Sequence, residues 1–174
     1  GTKGGVPAAG MPAAARRGLT ERSRSDLGCS GNLSCQNTIS RGRKQVKFAV
    51  VCFTERGALI CRRLYTYFNS RGVECVTRVP TRFLKEEWKK DGMSGQAEEL
   101  SWWTGRQFEE KNAVIFVGAV GIAVRAIAPW VKDKLSDPPV VAVDEAGRFC
   151  VPLLSGHVGG ANELALEIAD ELGA

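Results

Sequence analysis

One stretch of this chain concentrates residue types that could do chemistry: Leu154-Ser155-Gly156-His157-Val158-Gly159-Gly160-Ala161-Asn162, with three glycines and the only histidine. Gly156, Gly159 and Gly160 lack a Cβ, so the backbone there can take φ above zero and a ligand can approach the main chain closely. A helix beginning directly after such a loop leaves unpaired N–H groups at the positive end of its dipole, which suits an anion or a polarised carbonyl. A second loop of the same kind, Gly118-Ala119-Val120-Gly121, opens a helix that carries Arg125. Its spacing is GxxG, short of the GxGxxG of a dinucleotide fold. With no P-loop anywhere in the chain, nucleotide binding is poorly supported. The competing reading of both loops is a tight strand-to-helix turn in which glycine serves packing alone.

The elements that must position these loops follow from hydrophobic patterning. Val46 to Phe53 is a nearly continuous apolar run, as in a strand buried on both faces, and Thr54 follows as a helix cap. Ala58, Leu59, Cys61, Leu64, Tyr65 and Phe68 mark an amphipathic helix that stops at Arg71-Gly72, before a strand from Val73 to Val79. Phe83, Leu84 and Trp88 suggest a short helix, and Trp102, Trp103 and Phe108 a second one packed on the sheet. Ala113 to Val117 is a buried strand. Ile122, Ile127, Val131 and Leu135 predict a helix that Pro129 ends or kinks. Val140 to Val143, the turn Asp144 to Gly147 with Gly147 left-handed, and Arg148 to Pro152 predict a hairpin. Leu164, Ile168, Ala169 and Leu172 form the apolar stripe of a last helix, closed by Gly173. The fold class is α/β: a three-layer, mostly parallel open sheet with flanking helices and one β-hairpin.

Charge and cysteines narrow the function classes. The net charge of +5 suggests nucleic acid until it is located: residues 1–44 hold 8 Lys/Arg against 2 Asp/Glu, and the remainder 16 against 17. The basicity belongs to residues 1–45, which are rich in Gly, Ala, Pro, Ser and Arg. They read as a disordered tail or a leader segment, leaving 46–174 as one α/β domain. A nucleic-acid-binding tail is the alternative function class, and steep salt dependence of affinity would mark it. The six cysteines are scattered without a CxxC, which favours reduced buried thiols over a disulfide framework or a metal site. No run approaches the ~20 apolar residues of a membrane span. A cytoplasmic protein is expected.

Val117-Gly118-Ala119-Val120-Gly121-Ile122-Ala123-Val124-Arg125-Ala126-Ile127-Ala128-Pro129, then Lys134, Asp137-Pro138, Val143-Asp144-Glu145, Gly147, and Pro152 to Ala165 resemble the N-terminal region of the CbiG family of cobalt-precorrin-5A hydrolases. The resemblance is close over residues 99–174 and looser before them. It implies a hydrolase of vitamin B12 biosynthesis that opens the ring A δ-lactone of a cobalt-corrin precursor and releases acetaldehyde. The cobalt is carried by the substrate and no cofactor is implied. The family continues into a linker and a C-terminal domain, so this chain is expected to be an N-terminal fragment, with those segments as its partners. A non-catalytic corrinoid-binding or partner-docking domain is the alternative. Opening a lactone needs activated water and donors for the oxyanion. His157 is the candidate base, with Asp144 or Glu145 orienting it or acting instead. Gly118, Gly121, Arg125, Ser155, Gly156, Gly159, Gly160 and Asn162 are the candidate substrate contacts. Ser155 as a covalent nucleophile is less favoured, since no G-x-S-x-G elbow surrounds it. Both loops are expected beyond the carboxyl ends of the strands, converging as one anionic-substrate site.

Overall fold

Phe48–Cys52 (β1) is buried along its whole length, because Phe-Ala-Val-Val-Cys offers no polar side chain to either face. The computed structural model describes residues 47–174, and the expectation of a basic tail over 1–45 falls outside them. In chain order β1 is followed by α1 (Glu55–Ser70), β2 (Cys75–Arg78), a 3₁₀ turn (Thr81–Phe83), α2 (Glu86–Lys90), α3 (Leu100–Glu110), β3 (Ala113–Val117), α4 (Val120–Ile127), β4 (Val140–Val143), β5 (Cys150–Leu154) and α5 (Ala161–Leu172). The strands lie in the order β2-β1-β3-β4-β5. The first four are mutually parallel and β5 returns antiparallel on β4.

The alternation of side chains along each strand divides the core into two layers. Phe48, Val50, Cys52, Ile115, Val117, Val141 and Val143 meet Leu64 and Phe68 of α1 and Leu164 and Ile168 of α5. Phe68 also stands edge-on to Phe48, ring centroids 4.5 Å apart. On the other face Ala49, Val51, Val114, Phe116 and Val140 meet Trp103 and Phe108 of α3 and Ala123 and Ile127 of α4. The expected three-layer α/β sheet with one hairpin is therefore what the chain builds. Arg63 of α1 pairs with Glu171 of α5 at 2.8 Å, and the Tyr67 hydroxyl donates to Glu167 at 3.1 Å, fastening the two helices along their exposed sides.

Two local expectations are corrected, and the expected break of the helix at Pro129 is formed. Trp103 is buried but Trp102 is 67% exposed, since neighbouring residues on a helix point about 100° apart and cannot both face the sheet. The helix after β3 ends at Ile127, and Val131 and Leu135 lie beyond it, exposed. Pro129 ends it, having no N–H to continue the ladder. The second hairpin arm spans 150–154 and not 148–152, because the N–H groups of Arg148 and Phe149 are taken by the Asp144 carboxylate and ladder pairing begins at Cys150.

Candidate functional site

The order in which strands are added to the sheet reverses between β1 and β3: from β1 the chain crosses through α1 to β2 on one side, and β3 lies on the other. In an open α/β sheet this switch point, beyond the carboxyl ends of the strands, is where a crevice for ligands forms. Here the segments after β1 and β3 meet at that point. They pack closely, for a Cβ on Gly118 would come within 2.8 Å of the Phe53 ring. A helix starts on each side. That of α1 is closed by its cap, the Thr54 hydroxyl oxygen accepting the Gly57 N–H at 3.1 Å. That of α4 is open: its N-cap, Ala119, has no side-chain acceptor, and Ala119, Val120 and Gly121 are exposed. Arg125 folds back over this first turn, with Nη1 3.7 Å from where a Gly121 Cβ would be, and makes no ion pair among the described residues. Open N–H groups, the positive end of a dipole and a guanidinium are the chemistry that suits a carboxylate or an oxyanion.

The β4–β5 turn adjoins this helix start, since Val117 pairs with Val143 and the Gly118 N–H donates to Val143 O at 2.8 Å. Asp144 is committed to that turn. Its carboxylate accepts from the backbone N–H groups of Ala146 at 3.1 Å, Arg148 at 2.6 Å and Phe149 at 2.7 Å. Burial pushes its pKa up, but the hydrogen bonds from Phe149, Arg148 and Ala146, with the Arg148 charge, outweigh this and leave it below the ordinary value. Glu145, beside it and half-buried, has no hydrogen bond or ion pair among the described residues.

The structure thus puts Gly118, Gly121 and Arg125 at the same, carboxyl end of the parallel strands as the turn of Asp144 and Glu145. It does not bring the histidine loop to them. Leu154 pairs with Val140 while Cys150 pairs with Val143, so Ser155 to Asn162 leaves β5 at the amino end of the parallel strands, with the length of β4, about 10 Å, in between. The expected convergence of the two loops is overturned, and with it an orienting role for Asp144 or Glu145 on His157. The cause is the hairpin: an antiparallel last strand delivers its C-terminal loop to the opposite end of the sheet.

That loop is closed on itself. Ser155, at φ 56°, donates through Oγ to Asp137 O at 2.8 Å. Its carbonyl accepts the Ala161 N–H at 3.2 Å, and Gly156 O accepts that of Asn162 at 3.1 Å, so two N–H groups of the α5 start are already paired. A Cβ on Gly159 would lie 2.5 Å from Ser155 Cβ, and one on Gly156 2.7 Å from Asn162 Oδ1. Gly160 takes the left-handed N-cap at φ 87°. The glycines here make the turn possible and tight. His157 is exposed on its rim, without a partner among the described residues.

Two residues at the carboxyl ends of the strands went unnoticed in the sequence, Phe53 and Arg78. Both stand at strand ends, where an isolated residue carries no motif. The only signal for them is register, which places Arg78 level with Val51.

A profile of the cobalamin synthesis G N-terminal family matches residues 103–174. This part of the chain is similar to the cobalamin synthesis G N-terminal region. It holds both glycine loops and the Asp144 turn, whereas Phe53, Thr54 and Arg78 precede it. The chain is 38% identical over 131 residues to a cobalt-precorrin-5A hydrolase of Salmonella typhimurium, covering 75% of this chain and 34% of that protein. It is 35% identical over 127 residues to one of Priestia megaterium, covering 73% and 33%. The chain therefore spans about a third of the length of these curated relatives. A crystal structure of a cobalamin biosynthesis protein G homolog from Sulfolobus solfataricus shares the fold, with a TM-score of 0.53 at 20% identity over 74% of this chain and 35% of that one. No helix among the described residues is long and apolar enough to cross a membrane.

Proposed function

We propose that this chain supplies the substrate-binding region of a cobalt-precorrin-5A hydrolase in cobalamin biosynthesis. That enzyme opens the ring A δ-lactone of the corrin precursor and releases acetaldehyde. The observation that carries the reading is the 38% identity to a protein of that name across three quarters of the chain. The chemistry at the switch point supports it. A corrin precursor bears several carboxylates, and the α4 start with Arg125 offers N–H groups and a cation to receive one. In this reading Glu145 takes the proton of the attacking water, and the oxyanion forms against the open N–H groups of residues 119–121. Asp144 holds the turn that presents Glu145. The cobalt belongs to the substrate, the compartment is the cytoplasm, and the remaining two thirds of the relatives' length stands for the linker and C-terminal partners. His157 and the Ser155 to Asn162 loop form a separate surface on which those partners act.

A substrate-holding role without turnover is the second reading. Anaerobic incubation with cobalt-precorrin-5A, with acetaldehyde measured by coupled NADH oxidation, tests both. Acetaldehyde release supports the hydrolase, and corrinoid binding without release supports the holding role. Neither binding nor release would end the corrinoid assignment.

A further inference from the structure

At the carboxyl end of β2, one strand from the switch point, lies a buried cation with no carboxylate in direct contact. Arg78 is 4% exposed, and its Nη2 donates to the carbonyl of Glu98 at 2.7 Å. Its Nε is buried with no hydrogen-bond partner. The Glu98 carboxylate is turned to Arg106 instead, and Arg78 makes no ion pair among the described residues. Burial pushes its pKa down, an effect that the nearby Glu98 charge offsets only in part. Buried charges are ordinarily paired, because an unpaired one costs several kcal/mol of lost hydration. The guanidinium sits at the start of α3, an 11-residue helix whose N-cap, Glu99, accepts no hydrogen bond with its side chain. The residues of that start, Glu99, Ser101 and Trp102, are exposed.

We infer that Arg78 and the first turn of α3 form an anion site for a carboxylate of the ligand, which takes the place of the Glu98 carbonyl on the guanidinium. Exchanging a neutral acceptor for a charged one strengthens the hydrogen bond roughly twofold and puts a negative charge in direct contact with the guanidinium. Arg78 is level with Val51 of β1, and Val51 with Phe116 of β3, two strand spacings or about 10 Å across the sheet. The site and the α4 start thus lie at the same, carboxyl end of the sheet, on strands two spacings apart. That spacing selects a ligand carrying carboxylates on separate edges. The inference rests on the corrinoid reading for the identity of the ligand, but not for the existence of the site.

The test compares wild type, Arg78→Met and Arg78→Lys by titration calorimetry and thermal melts at low salt. The probes are cobyrinic acid, a corrinoid with free carboxylates; cobinamide, whose carboxylates are amidated; and citrate. Cobyrinic acid should bind wild type and raise its Tm, with affinity falling at least tenfold in Arg78→Met and less in Arg78→Lys. Cobinamide should not respond to either substitution. Without ligand, Arg78→Met should melt at or above wild type, since it removes an unpaired buried charge. Equal affinity of wild type and Arg78→Met for cobyrinic acid would overturn the inference. So would strong destabilisation by Arg78→Met, which would make the residue a clamp for the Glu98 carbonyl. Citrate binding that depends on Arg78, with no corrinoid bound at all, would support the anion site and defeat the corrinoid reading.

Discussion

Asp144 shows why a carboxylate in a promising sequence context is not yet a catalyst. The Asp-to-Gly spacing of 144–147 made the turn legible, but no sequence feature separates a carboxylate that accepts three backbone N–H groups from one that faces substrate. Its lowered pKa predicts a pH dependence. The ordinary carboxylate value, near ~3.9, applies to the unfolded chain, so the stabilisation is complete above it and is lost as pH falls through the lower folded value. Asp144→Ala should therefore melt below wild type at neutral pH, with the gap narrowing in acid; a gap constant down to acid unfolding would show that the charge is irrelevant. The glycines divide in the same way. A Cβ at Gly159 meets Ser155 at 2.5 Å, whereas at Gly121 the nearest atom is Arg125 Nη1 at 3.7 Å. Gly159→Ala should cost about 1–3 kcal/mol by overpacking. Gly121→Ala should leave Tm unchanged or raise it, since alanine favours a helix by up to ~1 kcal/mol, while weakening corrinoid binding. Loss of stability with unchanged binding in Gly121→Ala would make that glycine a packing residue like Gly159.

At the scale of elements, the strongly periodic segments were readable and the places where periodicity meets a local breaker were not. Thr54 before an apolar helical stripe marked the start of α1, and the cap is formed as expected. Thr54→Ala should lower stability by about 1 kcal/mol in chemical denaturation, the usual worth of a side-chain cap. The apolar spacing of Ile122, Ile127, Val131 and Leu135 continued past Pro129, but spacing records only which face a residue would take if the helix persisted. The two tryptophans of α3 make the same point energetically. Trp103→Ala should cost about 3–5 kcal/mol through the cavity it leaves among Val51, Phe116 and Ile127, and Trp102→Ala, on the solvent side, under ~0.5 kcal/mol. Similar losses from both would place Trp102 against something that the described residues do not include.

For the molecule as a whole, one strand direction decides what the site contains. Each glycine loop was correctly read as following a strand and opening a helix, and an all-parallel sheet would have put both beyond the carboxyl ends. The turn at 144–147 was also read, yet its consequence for the loop after it is geometric: β5 runs back, so the chain emerges beside Val140 and not Val143. The candidate residues consequently form two groups, Gly118, Gly121, Arg125 and Glu145 at one end, and Ser155, His157 and Asn162 at the other. A water attacking one lactone carbonyl must lie within about 3 Å of its base, so groups a strand length apart cannot share that proton. The switch-point assignment predicts an asymmetry. In acetaldehyde release from cobalt-precorrin-5A, Glu145→Gln should lower kcat about a hundredfold, the order expected for losing a general base, with corrinoid binding preserved. His157→Ala should change kcat only a few-fold. The reverse pattern, a hundredfold loss with His157→Ala and little with Glu145→Gln, would move the reacting ester to the amino end of the parallel strands and leave the α4 start and Arg125 as a remote anchor for the substrate.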